Sequence, residues 1–208
     1  MDIISMLHEK TVYRRRINKL VELISSVLPQ EASVLDIGCG DGRIDALINR
    51  YRPQVEIQGI DIMTRKVSFI SVREFNGTTI PYEDNSFDIV ILVDVLHHAY
   101  DQVSLLKEAA RVTRDCILIK DHLNEGIFSR TTLKFMDYIG NARHGVSLPY
   151  NFLNSREWGE LYEQAGLCEV LITRELSLYP WPFNWVFGRN LHFFSRLTLV
   201  NNNKIQHV

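Results

Sequence analysis

Cysteine and long apolar runs are scarce in this chain of 208 residues. Its three cysteines are widely spaced and form no CxxC pair, which argues against a disulfide framework or a cysteine zinc site and favours a reducing compartment. No stretch approaches the roughly 18 apolar residues that a membrane span requires. We therefore expect no membrane span and predict a cytoplasmic protein.

An excess of charge of either sign is missing as well, since 23 Lys+Arg oppose 25 Asp+Glu for a formal net charge of -2. This balance argues against a broad nucleic-acid-binding surface, which needs basic groups to neutralise phosphates. Apolar residues make up 46% of the chain, enough for a sizeable core at this length. Because the chain has no internal repeat and no clear linker, we predict a single domain over residues 1–208.

Short apolar runs alternate with segments of helical spacing. The first 28 residues predict an amphipathic helix that ends before Pro29. Further helices are predicted at 43–51, 102–112, 131–139 and 155–164, and strands at 33–37, 55–60, within 68–75, and at 87–93, 116–120, 169–173 and 192–199. Ser155 is the predicted cap of the last helix. Alternating strands and helices predict an α/β fold with a parallel, doubly wound sheet.

A glycine-rich turn follows the first predicted strand. Gly38, Gly40 and Gly42 stand at alternate positions in VLDIGCGDG, before a helix. Glycine permits a tight turn and lets a ligand approach the backbone, and amides at the helix start can hold a carboxylate or a phosphate. The second strand ends at Asp61, whose carboxylate can accept hydrogen bonds from both hydroxyls of a ribose.

These motifs resemble those of the class I S-adenosylmethionine (SAM)-dependent methyltransferases. VLDIGCGDG is similar to their first motif, GID at 59–61 to their acidic ribose-binding position, and IPYEDNSFDIVILVDVLHHA to the stretch through their fourth strand. Later blocks such as IKDH resemble a type 11-like bacterial subgroup. The resemblance implies a Rossmann-like sheet of about seven strands, mostly parallel with an antiparallel last strand, and helices on both faces.

The resemblance also implies SAM as cofactor, with S-adenosylhomocysteine as product. The implied cofactor-binding residues are Asp36, Gly38, Cys39, Gly40, Asp61, Ile62, Asn76, Gly77, Val93 and Asp94. Asn76 stands where the family often has an Asp that contacts the adenine amino group, and its side-chain oxygen can still accept. Only about fifteen residues separate Asp61 from Asn76, so the helix between strands two and three is expected to be shortened or missing.

Polar side chains follow two strands that are neighbours in the class I strand order. They are Asp94, His97 and His98 after strand four, and Lys120, Asp121 and His122 after strand five. Ligands bind beyond the carboxyl ends of such strands, so the two sets are expected to face each other near the methyl group. An acceptor with an O–H or N–H group benefits from a base whose pKa lies near working pH. This predicts His98 or His122 as base, with Asp94 as a further catalytic candidate.

The same residues have simpler interpretations. His97 can face the core or cap the next helix, and Asp94 can bind backbone amides near the methionine end of the cofactor. A divalent metal would suit the oxygen and imidazole ligands of Asp94, His98, Asp121 and His122. Their spacing matches no fixed metal signature, however, so no metal site is expected.

Two segments are expected to cover the pocket: the N-terminal helix and a lid-like insertion over 123–153. The insertion combines apolar side chains with a few polar ones, which is typical of a small-ligand pocket; alternatively, it packs on a core of its own. The candidate pocket residues are Phe135, Met136, Tyr138, Asn141, Arg143, His144 and Tyr150. The aromatic run from Trp181 to Phe187 can line an apolar pocket, touch a membrane surface, form a homodimer contact or pack in the core. Arg14 to Arg16 is interpreted as a solvated helix face.

These observations predict a SAM-dependent methyltransferase that acts on a small, partly apolar metabolite and binds no nucleic acid. Methylation of tRNA or protein is an alternative, which a basic groove or an added nucleic-acid module would indicate, and neither is visible. A non-catalytic SAM-binding protein is the other alternative, because binding does not require turnover and a fold alone does not establish a reaction.

Overall fold

The computed structural model describes residues 3–141 and 149–200, with side chains over 12–139 and 149–200. The strands are β1 (Ala32–Ile37), β2 (Val55–Asp61), β3 (Val72–Glu74), β4 (Phe87–Val93), β5 (Thr113–His122), β6 (Leu167–Thr173) and β7 (His192–Leu199). The α-helices are α1 (Ile3–Val27), α2 (Arg43–Tyr51), α3 (Gln102–Val112), α4 (Ser129–Asn141) and α5 (Ser155–Gln164). Short turns of 3₁₀ and π type cover Leu96–His98 and Asn184–Gly188.

The strands form one sheet in the order β3-β2-β1-β4-β5-β7-β6. The pairs from β3 to β5 are parallel, whereas β7 runs antiparallel to both β5 and β6. The predicted fold class, with seven strands and an antiparallel last strand, is therefore confirmed. The carboxyl ends of β1, β2, β4 and β5 meet at one edge of the sheet, where ligands bind in open α/β folds.

Apolar side chains cover both faces of the sheet. In β4, Val90 and Leu92 pack with α3 and α5 on one face, whereas Ile89 and Ile91 pack with α1 on the other. A strand buried on both faces reads as a continuous apolar run, which is what the sequence shows at 87–93. Within the described ranges no helix is long and apolar enough to cross a bilayer.

The connection from β2 to β3 contains no helix among residues 62–71, as expected from its length. It folds instead against the glycine-rich turn. The N–H of Phe69 donates to the carbonyl of Asp41 at 2.8 Å, and Ile70 packs against Gly42. One side of the implied cofactor pocket is thus formed by a loop.

The predicted cap of α5 is wrong by one residue. Asn154, not Ser155, is the N-cap, and its side-chain oxygen accepts the N–H of Glu157 at 3.0 Å. The carboxylate of Glu157 accepts the N–H of Asn154 at 2.8 Å in return, which completes a capping box. Ser155 looks like a cap by residue type, but its hydroxyl accepts a hydrogen bond from Arg174.

Replacing Asn154 by Ala should lower the free energy of unfolding by about 1 kcal/mol, the usual cost of a lost N-cap. Urea unfolding followed by circular dichroism measures this loss. Ser155→Ala is the matched control, because it removes only one exposed hydrogen bond and should cost clearly less. Equal losses in the two variants would contradict the assignment of the cap to Asn154.

Candidate active site

The three glycines of the first loop all adopt left-handed backbone conformations, with φ of 75°, 63° and 70° at Gly38, Gly40 and Gly42. A Cβ on Gly38 would lie 2.5 Å from a methyl carbon of Val95, and one on Gly42 would lie 2.3 Å from Ile70. Apart from its two chain neighbours, no atom of the described residues lies within 4 Å of the corresponding position at Gly40. Gly38 and Gly42 therefore serve close packing, whereas Gly40 borders open space that a ligand can approach.

Asp61 joins the end of β2 to this loop. One carboxylate oxygen accepts the N–H of Gly40 at 2.9 Å, and the other accepts the N–H of Met63 at 3.0 Å. Each oxygen retains a second acceptor position, since a carboxylate offers about four in all. The carboxylate is held beside Gly40, where it can also accept hydrogen bonds from a ligand.

The implied adenine side of the pocket lies next to Asp61. Ile62 is 54% exposed, and a Cβ on Gly77 would lie 3.2 Å from its Cγ2 atom, so these two residues are neighbours. The side-chain oxygen of Asn76, expected to accept from adenine, instead accepts the N–H groups of Thr78 and Thr79 at 2.9 and 2.8 Å. Because this oxygen is engaged in a turn, Asn76 has less acceptor capacity for a ligand than its residue type implies.

Two buried carboxyl groups lie below the glycine loop. Asp36 is the last residue but one of β1 and interacts with Asp45 from the first turn of α2. Burial raises the pKa of Asp36 well above its usual value, and burial also raises the pKa of Asp45 to about 6. Burial and Asp36 likewise raise the pKa of the Cys39 thiol. These carboxyl and thiol groups therefore hold their protons more readily than exposed groups of the same type do.

Asp94 lies between two cations at the end of β4. It follows Val93, has a φ of 57° and donates its N–H to the carbonyl of Lys120 at 2.7 Å. Its carboxylate contacts the Lys120 ammonium and the Arg16 guanidinium. Burial raises the pKa of Asp94, but Lys120 and Arg16 lower it well below its usual value. Asp94 thus accepts a proton poorly, which argues against a role as base.

The interpretation of the basic run as a solvated helix face is correct for Arg14 and Arg15, which are exposed. It is wrong for Arg16, which is partly buried and pairs with Asp94. The spacing of apolar residues along α1 places Arg16 next to the buried Ile17. A carboxylate 78 residues away in the chain then satisfies its charge.

His97 faces the interior, as one of its interpretations predicts. Its side chain is 1% exposed, and its Nδ1 lies 2.6 Å from a carboxylate oxygen of Asp121. The other oxygen of Asp121 accepts the N–H of Leu96 at 3.0 Å. Burial lowers the pKa of His97, but Asp121 and Asp137 raise it to about 10. This histidine links the ends of β4 and β5.

His98 and His122 flank His97, with ring centroids 4.0 and 4.6 Å from it. Burial and the charge of His97 lower the pKa of His98, while burial and Lys120 lower the pKa of His122 to about 4. Both imidazoles are therefore neutral near pH 7. The side chain of His98 is 17% exposed and that of His122 is 9% exposed, so His98 is the more accessible to an acceptor.

Helix α4 of the 123–153 insertion contributes Asp137, which is buried and lies 3.4 Å from Nε2 of His98. Leu133 of the same helix also faces inward and packs with Phe152 and Leu191. Phe135 and Tyr138 point outward and are 54% and 59% exposed, and Met136 and Tyr150 are partly buried against the small core. The side chain of Asn141, and Arg143 and His144, fall outside the described residues.

The aromatic run divides into exposed and packed members. Trp181 and Trp185 are 88% and 77% exposed. Phe183 and Phe187 are partly buried and stack with centroids 6.5 Å apart.

Sequence reasoning missed four members of the site: Arg16, Asp45, Asp137 and His192. His192 begins β7 and its Nδ1 lies 3.2 Å from the Lys120 ammonium. A signal existed for Asp45, because a carboxylate three residues before Ile48 occupies the apolar face of α2. The other three are recruited by contacts between distant segments, which spacing in the sequence does not encode.

Replacing Asp45 by Asn should raise the free energy of unfolding at pH 7 by about 1–3 kcal/mol. As pH rises above about 4, the unfolded chain loses this proton before the folded chain does, so stability falls until the folded pKa of about 6 is passed. The variant lacks that penalty. Its advantage over the wild type should therefore shrink towards pH 4.

Urea unfolding from pH 4 to pH 8, without ligand, measures this difference. Asp41→Asn is the control, since Asp41 lies in the glycine-rich loop just before α2 and its carboxylate is only partly buried. An Asp45→Asn advantage that stays constant across this range would contradict the buried acid pair.

The chain is similar in sequence to known methyltransferases over part of its length. Residues 35–116 match the model of a methyltransferase domain family. The 27-O-demethylrifamycin SV methyltransferase of Amycolatopsis mediterranei is 29% identical over 51% of this chain and 44% of its own length. The demethylmenaquinone methyltransferase of Thermotoga maritima is 31% identical over 50% of this chain and 46% of its own. The matches thus span less than half the length of these relatives.

The likeness in structure extends over nearly the whole chain. A methyltransferase from Haloferax volcanii, solved in complex with the Trm112 methyltransferase activator, superposes with a TM-score of 0.70 at 15% identity over 96% of this chain and 95% of its own. At that identity the likeness concerns the fold alone. The resemblance predicted from the motifs is confirmed: residues 35–116 match a methyltransferase domain family, and the chain has the class I methyltransferase fold.

Proposed function

We propose that the protein is a SAM-dependent methyltransferase that methylates a small, partly apolar metabolite. The observation that carries the proposal is the junction of Gly40 and Asp61. A glycine bordering open space donates its N–H to a buried carboxylate at the end of the next strand. This arrangement brings a backbone free of Cβ and a ribose-binding acceptor to one point of the carboxyl edge.

The cofactor is proposed to lie along this edge. Its ribose would bind Asp61, and its adenine would lie beside Ile62 and Gly77, which are neighbours. The amino-acid half would face Gly38 and the acid pair of Asp36 and Asp45. SAM supplies an activated methyl group, and the protein positions the acceptor in line with it.

The acceptor is proposed to meet the histidines that follow β4. His98 is partly exposed and its lowered pKa keeps the imidazole neutral at pH 7. Because Nδ1 is buried, Nε2 is the nitrogen that would accept a proton from an acceptor group. His122 is the second candidate, but its more buried side chain and its pKa of about 4 make it the weaker base. Asp94 helps to set the charge of this region through its ion pairs.

The substrate class is supported by the relatives and by the surface of the insertion. Two relatives are named for the methylation of a demethylrifamycin and a demethylmenaquinone. Ile127, Phe128 and Phe135 of the insertion are more than half exposed, which suits apolar parts of an acceptor. Methylation of tRNA or protein is the alternative, and the formal net charge of -2 does not favour binding to a nucleic acid.

Calorimetric titration of the purified chain with SAM, and with S-adenosylhomocysteine in parallel, tests the cofactor. Micromolar binding of both is expected. If neither binds, the proposed cofactor is wrong. With binding established, small phenols, hydroxyquinones and amines are offered together with SAM labelled in its methyl group. Transfer to tRNA or protein alone would favour the alternative substrate class, and binding without any transfer would favour a non-catalytic role.

Replacing Asp61 by Ala should weaken SAM binding by about 1.5–3 kcal/mol, the range for hydrogen bonds to a charged group. Calorimetry measures the change. Glu56→Ala is the control, because it removes an exposed carboxylate from the same strand and should leave affinity unchanged. Unaltered affinity in Asp61→Ala would remove Asp61 from the ribose site.

Replacing His98 by Ala should spare SAM binding and slow turnover by about 10²–10⁴-fold, the usual contribution of a group that assists proton transfer. The rate with saturating acceptor and the affinity for SAM are measured in the same preparation. His122→Ala distinguishes the two histidines, since it should slow turnover less. Equal rates in His98→Ala and the wild type would show that His98 does not take part.

A further inference from the structure

We propose that His97, His98 and Asp137 form a binding site for a divalent transition metal of the zinc type. The site lies at the carboxyl edge of β4, under helix α4. It differs from the metal arrangement considered from the sequence, because its carboxylate comes from the insertion and not from the ends of the strands.

The donor atoms converge on one point. Nε2 of His97 lies 3.6 Å and Nε2 of His98 lies 3.4 Å from the same carboxylate oxygen of Asp137. Both separations exceed the usual 2.7–3.2 Å of an N–H···O hydrogen bond. They match the distance of about 3.3 Å between two ligands of a tetrahedral zinc ion, which follows from metal–ligand bonds of about 2.0–2.1 Å.

His97 supplies a second observation that points to a ligand. Its Nε2 is buried, and it has no hydrogen-bond partner in the part of the chain that the structure describes. The side chain is 1% exposed, so bulk water does not satisfy this atom. Its contact with the Asp137 oxygen at 3.6 Å is an ion pair longer than a hydrogen bond, and an ion bound between the two groups would satisfy both. Nε2 is directed to where Asp137 and His98 meet.

The other ring nitrogen of His97, Nδ1, contacts a carboxylate, as is usual for a histidine that binds a metal through Nε2. Nδ1 lies 2.6 Å from a carboxylate oxygen of Asp121, which makes Nδ1 a donor. An ion that displaces the proton of Nε2 would then bind the lone pair of that nitrogen. Asp121 is fixed in turn by the N–H groups of Leu96 and His122. Carboxylate–histidine–metal chains of this kind orient the ligand and raise its basicity.

Asp121 and His122 also lie close enough to His97 to suggest a different set of three ligands. In that set, however, Nδ1 of His97 and the oxygen of Asp121 already bond each other. An ion there would have to break this contact and the bond to the His122 amide. The set with Asp137 requires neither change.

The ligand types define the class of ion. Two imidazoles and one carboxylate suit Zn²⁺, Co²⁺, Fe²⁺ and Mn²⁺ better than Mg²⁺ or Ca²⁺, which prefer oxygen ligands. Three protein ligands leave a coordination position open, as in catalytic metal sites. This part rests on the proposed function: the open position would face the acceptor on the exposed side of His98. With Nε2 bound to the ion, His98 would hold the ion beside the acceptor instead of taking the proton itself.

The full chain, treated with a chelator and dialysed, is titrated with Co²⁺ by visible absorption and with Zn²⁺ by calorimetry, both without SAM. We expect one equivalent of each to bind with micromolar or tighter affinity, and Co²⁺ to give the d–d bands of a four- or five-coordinate site. Circular dichroism and thermal unfolding confirm that each preparation is folded.

Variants assign the ligands. Asp137→Asn and His98→Ala should each weaken binding by more than tenfold, and Asp121→Asn by about 10–100-fold as a group that orients a ligand. His122→Gln and Cys168→Ser are the controls, the latter because Cys168 is an exposed thiol. Both should bind as the wild type does.

The absence of binding to the folded wild type would overturn the proposal, and His97 would then be an imidazolium held between Asp121 and Asp137. Wild-type affinity in Asp137→Asn and His98→Ala, or loss of binding in either control, would overturn it as well. Titration of the same preparations with SAM separates this proposal from the proposed function. Metal binding without SAM binding would reject only the function, and SAM binding without metal binding would reject only the metal site.

Discussion

The side chain of Lys120 is completely buried, and the candidate site is arranged around the need to neutralise its charge. Asp94 does so from the end of β4, and the same carboxylate also satisfies Arg16 of α1. His192 lies against the ammonium as well and stays neutral beside it, since burial and Lys120 lower its pKa well below the usual value. Since a buried charge that lacks its partner is strongly destabilising, this group holds α1, β4, β5 and β7 in fixed relative positions.

The parts of the site that the sequence predicted are those whose chemistry is local. The glycine-rich turn requires positive φ at three positions within residues 38–42, and glycine is the residue type that permits it. Asp61 is recognisable because it stands at the end of a predicted strand. The fold was predictable for the same reason, because an apolar run such as 87–93 indicates a strand that is buried on both faces of the sheet. His98 and His122 were identified because the ends of parallel strands meet at one edge, whichever residues lie between them.

The parts that were missed depend on which distant segments meet. Asp137 was overlooked among the apolar residues of the insertion, because nothing in the spacing of α4 shows that its inner face contacts the turn after β4. Three consecutive arginines are typical of a solvent-exposed helix face, and nothing in their spacing indicates that Arg16 pairs with a carboxylate at the end of β4. The cap of α5 differed by one residue, since Asn154 and Ser155 have equal propensity and only the reciprocal bond to Glu157 distinguishes them.

The three tryptophans of the chain occupy two very different environments. Trp158 is 3% exposed, and its indole N–H donates to the carbonyl of His122 at 3.1 Å; Trp181 and Trp185 are mostly in water. Intrinsic fluorescence is therefore a sum of a component shielded from solvent and a component that an aqueous quencher can reach. With the exposed component quenched, the remaining emission comes from an indole bonded to the backbone at the end of β5. The molecule thus carries a built-in optical reporter of the strand that presents Lys120, Asp121 and His122.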